Sequence, residues 1–330
     1  MATMREVAAR AGVSPKTVSR VFNGDAHVTP ETRERVEQVM RELNYVPNLL
    51  ATTFRSGSAR VVGVAVPDIV DPHFGAIARA VEDVARERGL STLVTSTGND
   101  PDAERAQVES LLARQLTGLV IVPVGADHSW LERWQERTPI VFVDRAPRGI
   151  TADTFTDDDH GGALAGTRHL LTHGHRRIGY LGDLLHLSTE AHRLRGYRAA
   201  LVEEGVEPDD ELVRMHVDGP QSAATALERL ASLASPPTAV FSSNARTTVA
   251  VLHALDGDRV PLVCFGDFPL ADLLDPPLTV LDQNPARLGE LAARRVFDRV
   301  EHPSKRLARA NVLDVALIER GSCDVVNPGQ

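Results

Sequence analysis

Within seven consecutive positions near the start of the chain, Ser14, Pro15, Lys16, Thr17, Ser19 and Arg20 bring together hydroxyl, ammonium and guanidinium donors. On one end of a helix, such groups recognise rather than catalyse. Hydroxyls and backbone N–H groups take phosphate oxygens, Lys and Arg donate to the acceptor edge of guanine, and Pro15 offers van der Waals contact to a thymine methyl. The residue patterns of catalysis are missing. There is no glycine-rich dinucleotide fingerprint, no phosphate-binding Walker loop and no His/Cys metal spacing, and Gly161-Gly162 stands at a helix start without the flanking pattern. Of twelve histidines, His173 and His175 bracket a glycine at a helix end, where a cap is the simpler reading. Neither an enzyme, a cofactor nor a metal is expected.

The donors need a scaffold, and the flanking residues supply one. Thr3 followed by Glu6 is a capping box that starts a helix at Met4, with Val7, Ala8 and Ala11 on one face. Gly12 permits a sharp turn, and Ser14-Pro15 then reads as an N-cap with proline at the first helical position. Val18 and Val21 face inward, leaving the polar residues outward. VTPETRERV opens a third helix behind Thr29-Pro30, and RELNYVPN closes it at Pro47. The pattern is that of a helix-turn-helix whose second helix offers its first turn to a DNA major groove.

Charge is distributed accordingly. The 330-residue chain has a net charge of −9, yet residues 1–60 hold nine Arg/Lys against six Asp/Glu, a local +3 that leaves −12 for the rest. The basic end is small and coincides with the helix-turn-helix. The length exceeds one core and suits two or three. No apolar run approaches a membrane span and no signal peptide is evident, so a cytoplasmic protein is expected. Cys264 and Cys323 read as packing residues.

From Val61 the pattern changes to short apolar runs separated by helical stretches: VVGVAVPD, 74–89, LSTLVTST, 101–116, GLVIVPV, 128–137 and PIVFVD. A second series runs from a helix near His160 through RIGYLGD, 190–205, LVRMHV, 221–234, TAVFSSN, 245–256 and LVCFGD, followed by TVLDQ, a helix over 285–302 and ANVLDVALIERGS. This alternation predicts α/β architecture: two doubly wound parallel sheets behind an all-α head, with a ligand cleft beyond the carboxyl ends of the strands.

The phrases EVAARAGVSPKTVSRVFN, VTPETRERV and ELNYVPN resemble, in order and spacing, the DVAxxAGVSxxTVSRVLN, VSxxTRxRV and ELxYxPN of the LacI/GalR family of transcriptional regulators. GHRRIGYL, Arg193-x-x-Gly-Tyr197 and PPLTVLDQ extend the likeness into the core. The resemblance implies a helix-turn-helix DNA-binding domain over 1–47 and a hinge helix over 48–60. A periplasmic-binding-protein-like type I core follows, with an N-subdomain of 61–159 and 286–312 and a C-subdomain of 160–285 and 313–330. Crossings between the subdomains are expected near 157–162, 282–286 and 311–316.

By the same resemblance, DNA contacts fall on Ser14, Pro15, Lys16, Thr17, Ser19, Arg20 and Asn23. Phe54 stands where a leucine wedges the minor groove, Arg55 is beside it, and Thr52 replaces a common arginine. Effector contacts fall on Phe74, in the loop after the first core strand, and on Asp144, Arg193, Asn244, Arg246 and Asp267, with Asp158 a further candidate at the start of the crossover. Two departures stand out: CFGD replaces the usual GFDD, putting Gly266 at an aspartate position, and Asn244 is followed by Ala245. With Arg193 and Arg246 nearby, the cleft is expected to lean positive and to accept a sugar acid or sugar phosphate rather than a neutral sugar. The implied protein is a dimeric repressor of a pseudo-palindromic double-stranded operator, controlled by a small sugar-like effector. A solute-binding protein of the same core fold is the alternative, with induction and corepression both open.

Overall fold

The computed structural model describes residues 2–22, 25, 27–45, 60–255 and 259–324. The chain forms two units, Met1–Ser58 and Ala59–Gln330. In the first, helices α1 (Met4–Ala11), α2 (Pro15–Phe22) and α3 (Pro30–Glu42) enclose a small core of Val7, Ala8, Ala11, Val18, Val21, Val36 and Val39. The capping box is present: Thr3 N–H donates to Glu6 Oε2 at 2.7 Å and Glu6 N–H to Thr3 Oγ1 at 3.3 Å. Gly12 adopts φ 63°, the left-handed turn that frees α2 to cross α1. Ser14 Oγ accepts from Thr17 N–H at 3.1 Å, as its capping role requires. Arg35 Nε donates to Ala11 O at 3.1 Å, satisfying a carbonyl that the end of α1 leaves open.

The second unit is built on two six-stranded sheets. The first has the order β11-β5-β4-β3-β1-β2 and is parallel throughout: β1 (Val61–Val66), β2 (Ser91–Ser96), β3 (Gly118–Ile121), β4 (Ile140–Asp144), β5 (Asp153–Asp157) and β11 (Ala310–Leu313). The second has the order β12-β10-β9-β8-β6-β7: β6 (Ile178–Leu181), β7 (Val213–Arg214), β8 (Ala239–Ser242), β9 (Leu262–Phe265), β10 (Thr279–Asp282) and β12 (Ala316–Ile318). Only β12, at its edge, runs antiparallel to its neighbour β10.

Strand periodicity explains the layers. Val62, Val64, Val66, Val120, Val141 and Val143 project to the face covered by α4 (Pro72–Glu87) and α11 (Pro285–Glu301). Ala65, Leu119, Ile121, Ile140 and Phe142 project to the other, beneath α5 (Pro101–Leu112) and the segment leading to α6 (Glu132–Gln135). Around the second sheet, α7 (Asp159–Thr172) and α8 (Ser188–Glu203) build one core, and α9 (Pro220–Ala231) and α10 (Ala245–Leu255) the other. The chain leaves the first sheet after Asp157, returns after Asp282 and passes over again between Leu313 and Ala316. Cys264 and Cys323 are buried and unpaired.

Several details differ from the sequence reading. The 128–137 helix shrinks to a 3-10 turn, Ser129–Leu131, and the four-residue α6. Strand β5 was not anticipated at all: DTFTD lacks an apolar run, yet it is interior to its sheet because its first buried acid, Asp153, is paired. Arg295 Nη1 and Arg299 Nε each donate to Asp153 at 2.6 Å.

Candidate functional site

In the head, the cap at Ser14 leaves Ser14, Pro15, Lys16 and Arg20 exposed, with Thr17 and Ser19 half-buried against the core. Lys16 and Arg20 therefore present cations from the first turn of α2 and the turn after it. Asn23, Phe54 and Arg55, and with them the expected hinge helix, lie outside the described residues.

The second unit holds a cavity of about 320 Å³ at the carboxyl ends of strands from both sheets, walled by the first turns of α4, α8 and α10. That is where open α/β sheets bind ligands, and the volume sits at the lower end of small-molecule sites. All six residues expected there, Phe74, Asp144, Arg193, Asn244, Arg246 and Asp267, line it, as do Gly266 and Ala245. Phe74 belongs to the first turn of α4 and not to a loop, because Asp71 caps that helix through His73 N–H at 2.9 Å. Asp158 does not reach the cavity; it is an exposed cap, its Oδ1 accepting from Gly161 N–H at 2.8 Å. The buried acid of that pair is Asp159.

Three residues that sequence reasoning passed over complete the walls. His73 Nε2 lies 3.0 Å from Asp144 Oδ1, and Arg145 Nε lies 3.2 Å from Asp144 Oδ2. Glu190, almost fully buried, accepts from Tyr180 OH on one oxygen and from Ser243 Oγ at 2.8 Å on the other. Only the adjacency of Asp144 and Arg145 was visible in the sequence. The other partners come from separate strands and helices.

Asp144 occupies φ 66°, where a non-glycine residue is rare, and Arg145 N–H closes a three-residue turn onto Val143 O at 2.7 Å. The turn directs both side chains at the cavity. Burial alone would raise Asp144, but the His73 bond and the charges of Arg145, His73 and Arg193 more than offset it and hold the carboxyl at about 2. Burial pulls His73 down, and the bond to Asp144 with the charges of Asp144, Asp157 and Asp71 outweighs it, so the imidazole is shifted upward. Burial pushes Asp157 up to about 7, with the charge of Asp144 adding to it, and lifts Asp159 to about 6 against the restraint of Arg193.

The arginines do not make the cavity positive, which corrects the expectation drawn from Arg193 and Arg246. Six carboxylates line it (Asp68, Asp71, Asp144, Asp183, Glu190 and Asp267) against three guanidiniums. Each guanidinium is matched: Arg145 with Asp144, Arg193 Nε with Asp159 Oδ1 at 2.7 Å, and Arg246 with Asp183. Arg193 also donates to Ser243 O at 2.8 Å and lies 3.9 Å over the Phe265 ring. Asp267 is clasped by Arg320 at 2.8 Å, and Asn244 Oδ1 caps α10 by accepting from Thr247 N–H at 2.8 Å. Asp183 Oδ1 is buried and without a partner among the described residues.

A DNA-reading head and a two-sheet cleft with a polar cavity together define a ligand-binding regulator, and comparison with known proteins agrees. Residues 3–48 match the family described as bacterial regulatory proteins, lacI family, and residues 167–323 the periplasmic binding protein-like domain. The chain is 33% identical to the HTH-type transcriptional repressor PurR of Mannheimia succiniciproducens, over 92% of this chain and 93% of that one. It is 31% identical to the ribose operon repressor of Escherichia coli K12, over 98% and 100%. Among solved structures it is similar to the Lac repressor dimer bound to operator and the anti-inducer ONPF, with a TM-score of 0.83, 25% identity and coverage of 98% and 99%. It is also similar to a complex of the transcriptional regulator CelR with cellobiose, with a TM-score of 0.70, 29% identity and coverage of 98% and 100%. The chain belongs to the LacI family of bacterial regulatory proteins. It is a transcriptional regulator with a helix-turn-helix head and an effector-binding domain.

Proposed function

We propose that the protein is a repressor that binds a pseudo-palindromic operator as a dimer and is controlled by a neutral, polyhydroxylated effector of sugar type held in the cavity. The charge-matched wall carries the reading. Where every arginine already faces a carboxylate and acids are in excess, an anionic ligand meets repulsion, while a hydroxyl can donate to a carboxylate and accept from a guanidinium at once. The unpartnered Asp183 Oδ1 is an acceptor that a ligand hydroxyl would satisfy.

Lys16 and Arg20 are assigned to base edges, Pro15 to an apolar contact, and Ser14, Thr17 and Ser19 to phosphate register. Asn23, Phe54 and Arg55 keep the roles the family resemblance gives them. Phe74, Asp144, Arg193, Asn244, Arg246 and Asp267 are assigned to the effector, which is bound and released unchanged. The relatives are repressors rather than enzymes. Exposed apolar side chains, Ile69, Val70, Leu93 and Val94 near one edge of the first sheet and Leu270 and Leu273 beside the second, support a partner surface for dimerisation. No described helix is long and apolar enough to cross a membrane; operator DNA as the partner supports the cytoplasm as the site of action.

The test titrates neutral sugars, sugar acids and sugar phosphates into the full-length protein by calorimetry, then repeats the hits with operator DNA present. Neutral sugars should bind and shift operator affinity by a coupling of about 1–3 kcal/mol. Tight binding confined to the acidic members would refute the effector class, and a monomer by light scattering at operator-binding concentrations would refute the dimer.

A further inference from the structure

Arg20, assigned above to a base edge, does not stand free in the head. Its Nε lies 3.5 Å from Asp25 Oδ2, and the guanidinium is about half exposed. Asp25 Oδ1 accepts from His27 N–H at 2.9 Å, and the His27 ring Nδ1 lies 3.0 Å from the same oxygen. The backbone of Asp25 is held as firmly. Its N–H donates to Arg20 O at 3.0 Å, and its carbonyl accepts from Arg33 Nη2 of α3 at 2.7 Å, while Arg33 Nη1 donates to Val21 O at 3.3 Å. Arg33 thus staples the end of α2 to the segment after it, and the Asp25 carboxylate becomes a fixed point beside a long, rotamer-rich side chain.

We infer that Asp25 is a positioning residue for sequence reading: it holds the Nε edge of Arg20 so that the terminal guanidinium donors are aimed at one base pair. The inference rests on the DNA-reading role proposed for α2. A fixed neighbour that leaves the terminal nitrogens forward reduces what Arg20 loses on ordering against a guanine, the commonest bidentate base contact. The same carboxylate repels phosphate, so it trades general affinity for discrimination. The two effects have opposite signs, and a merely structural role would not separate them.

The experiment selects an inverted-repeat site from a randomised duplex library with the full-length wild-type protein. Single-base-pair variants of that site and an unrelated duplex are then titrated with wild type, Asp25→Asn, Asp25→Ser and Arg20→Ala, each alone and with the Asp25 changes in the Arg20→Ala background. Asn and Ser keep an acceptor for His27 N–H, so either one that retains the wild-type melting profile suffices. Discrimination should fall about tenfold at the pair that Arg20→Ala also relaxes, with no further fall in the double variants. Binding to the unrelated duplex should hold or tighten. Unchanged discrimination in Asp25→Asn and Asp25→Ser, or equal losses on specific and unrelated DNA, would overturn the role of Asp25 while leaving the DNA-reading head in place. A wild-type protein that enriches no duplex would bring down both.

Discussion

Gln283 Nε2 donates to Asp157 Oδ2 at 3.0 Å, joining the end of β5 to the end of β10 just where the chain changes sheets. The bond ties two of the three crossings to each other, and the third is adjacent, since Asp158 N–H donates to Leu313 O at 2.8 Å. Motion of one subdomain against the other, the kind of hinge that closes on a ligand, has to work around this knot.

Asp157 makes the knot pH-sensitive. Its folded-state value, pushed up to about 7, exceeds the ~3.9 of an unfolded aspartate, so the folded state holds the extra proton. Stability from this group is present below about pH 4 and lost as pH rises to about 7. Asp157→Asn should therefore be more stable than wild type at pH 8, by up to about 4 kcal/mol, and lose most of that advantage at pH 5. Denaturant unfolding at the two pH values checks it, and a gap that does not change with pH counts against the assignment.

Arg193 is expected to be structural as well as ligand-facing. Removing it leaves Asp159, 3% exposed, as an uncompensated buried acid and strips Ser243 O of its donor. Arg193→Ala should cost about 3–5 kcal/mol of core stability, and adding Asp159→Asn should recover part of the loss. Equal stability of Arg193→Ala and wild type would show the pair to be dispensable.

Gly196, in the Arg193-x-x-Gly-Tyr197 motif, lets α8 lie against α7. A Cβ there would meet His160 O at 2.2 Å, a backbone atom with little room to retreat. Gly196→Ala should cost about 1–3 kcal/mol, read as a lowered melting temperature of the second unit with the head unaffected. Tyr197 OH, donating to Ile178 O at 2.7 Å, completes the motif as a core element.

Arg20→Ala should weaken operator binding by about 1–3 kcal/mol and flatten preference at one base pair, and Lys16→Ala should do the same at a second base pair. Binding isotherms on site variants distinguish the two. An unchanged ranking of operator variants with Arg20→Ala would remove that residue from the reading surface.

The head was almost wholly legible, because caps and turns are local: Thr3 with Glu6, Gly12 and Ser14-Pro15 act within a few residues of themselves. The two sheets were legible wherever a strand is apolar on both faces, since Val-rich runs such as VVGVAV declare their burial. The six cavity residues were placed by likeness to a family and by their positions at strand ends, and they do converge.

What no local pattern announced is how the charges pair. Asp153 is neutralised by arginines more than a hundred positions away, so β5 could enter an interior position without an apolar run. Arg193 and Arg246 read as free cations until the fold set Asp159 and Asp183 against them, reversing the expected sign of the cavity. Sequence alone determined most of the elements and the edge at which they meet, because propensity and periodicity are short-ranged. Tertiary structure alone decided the electrostatics, because a buried charge takes its character from whichever distant residue the fold brings within a few ångströms.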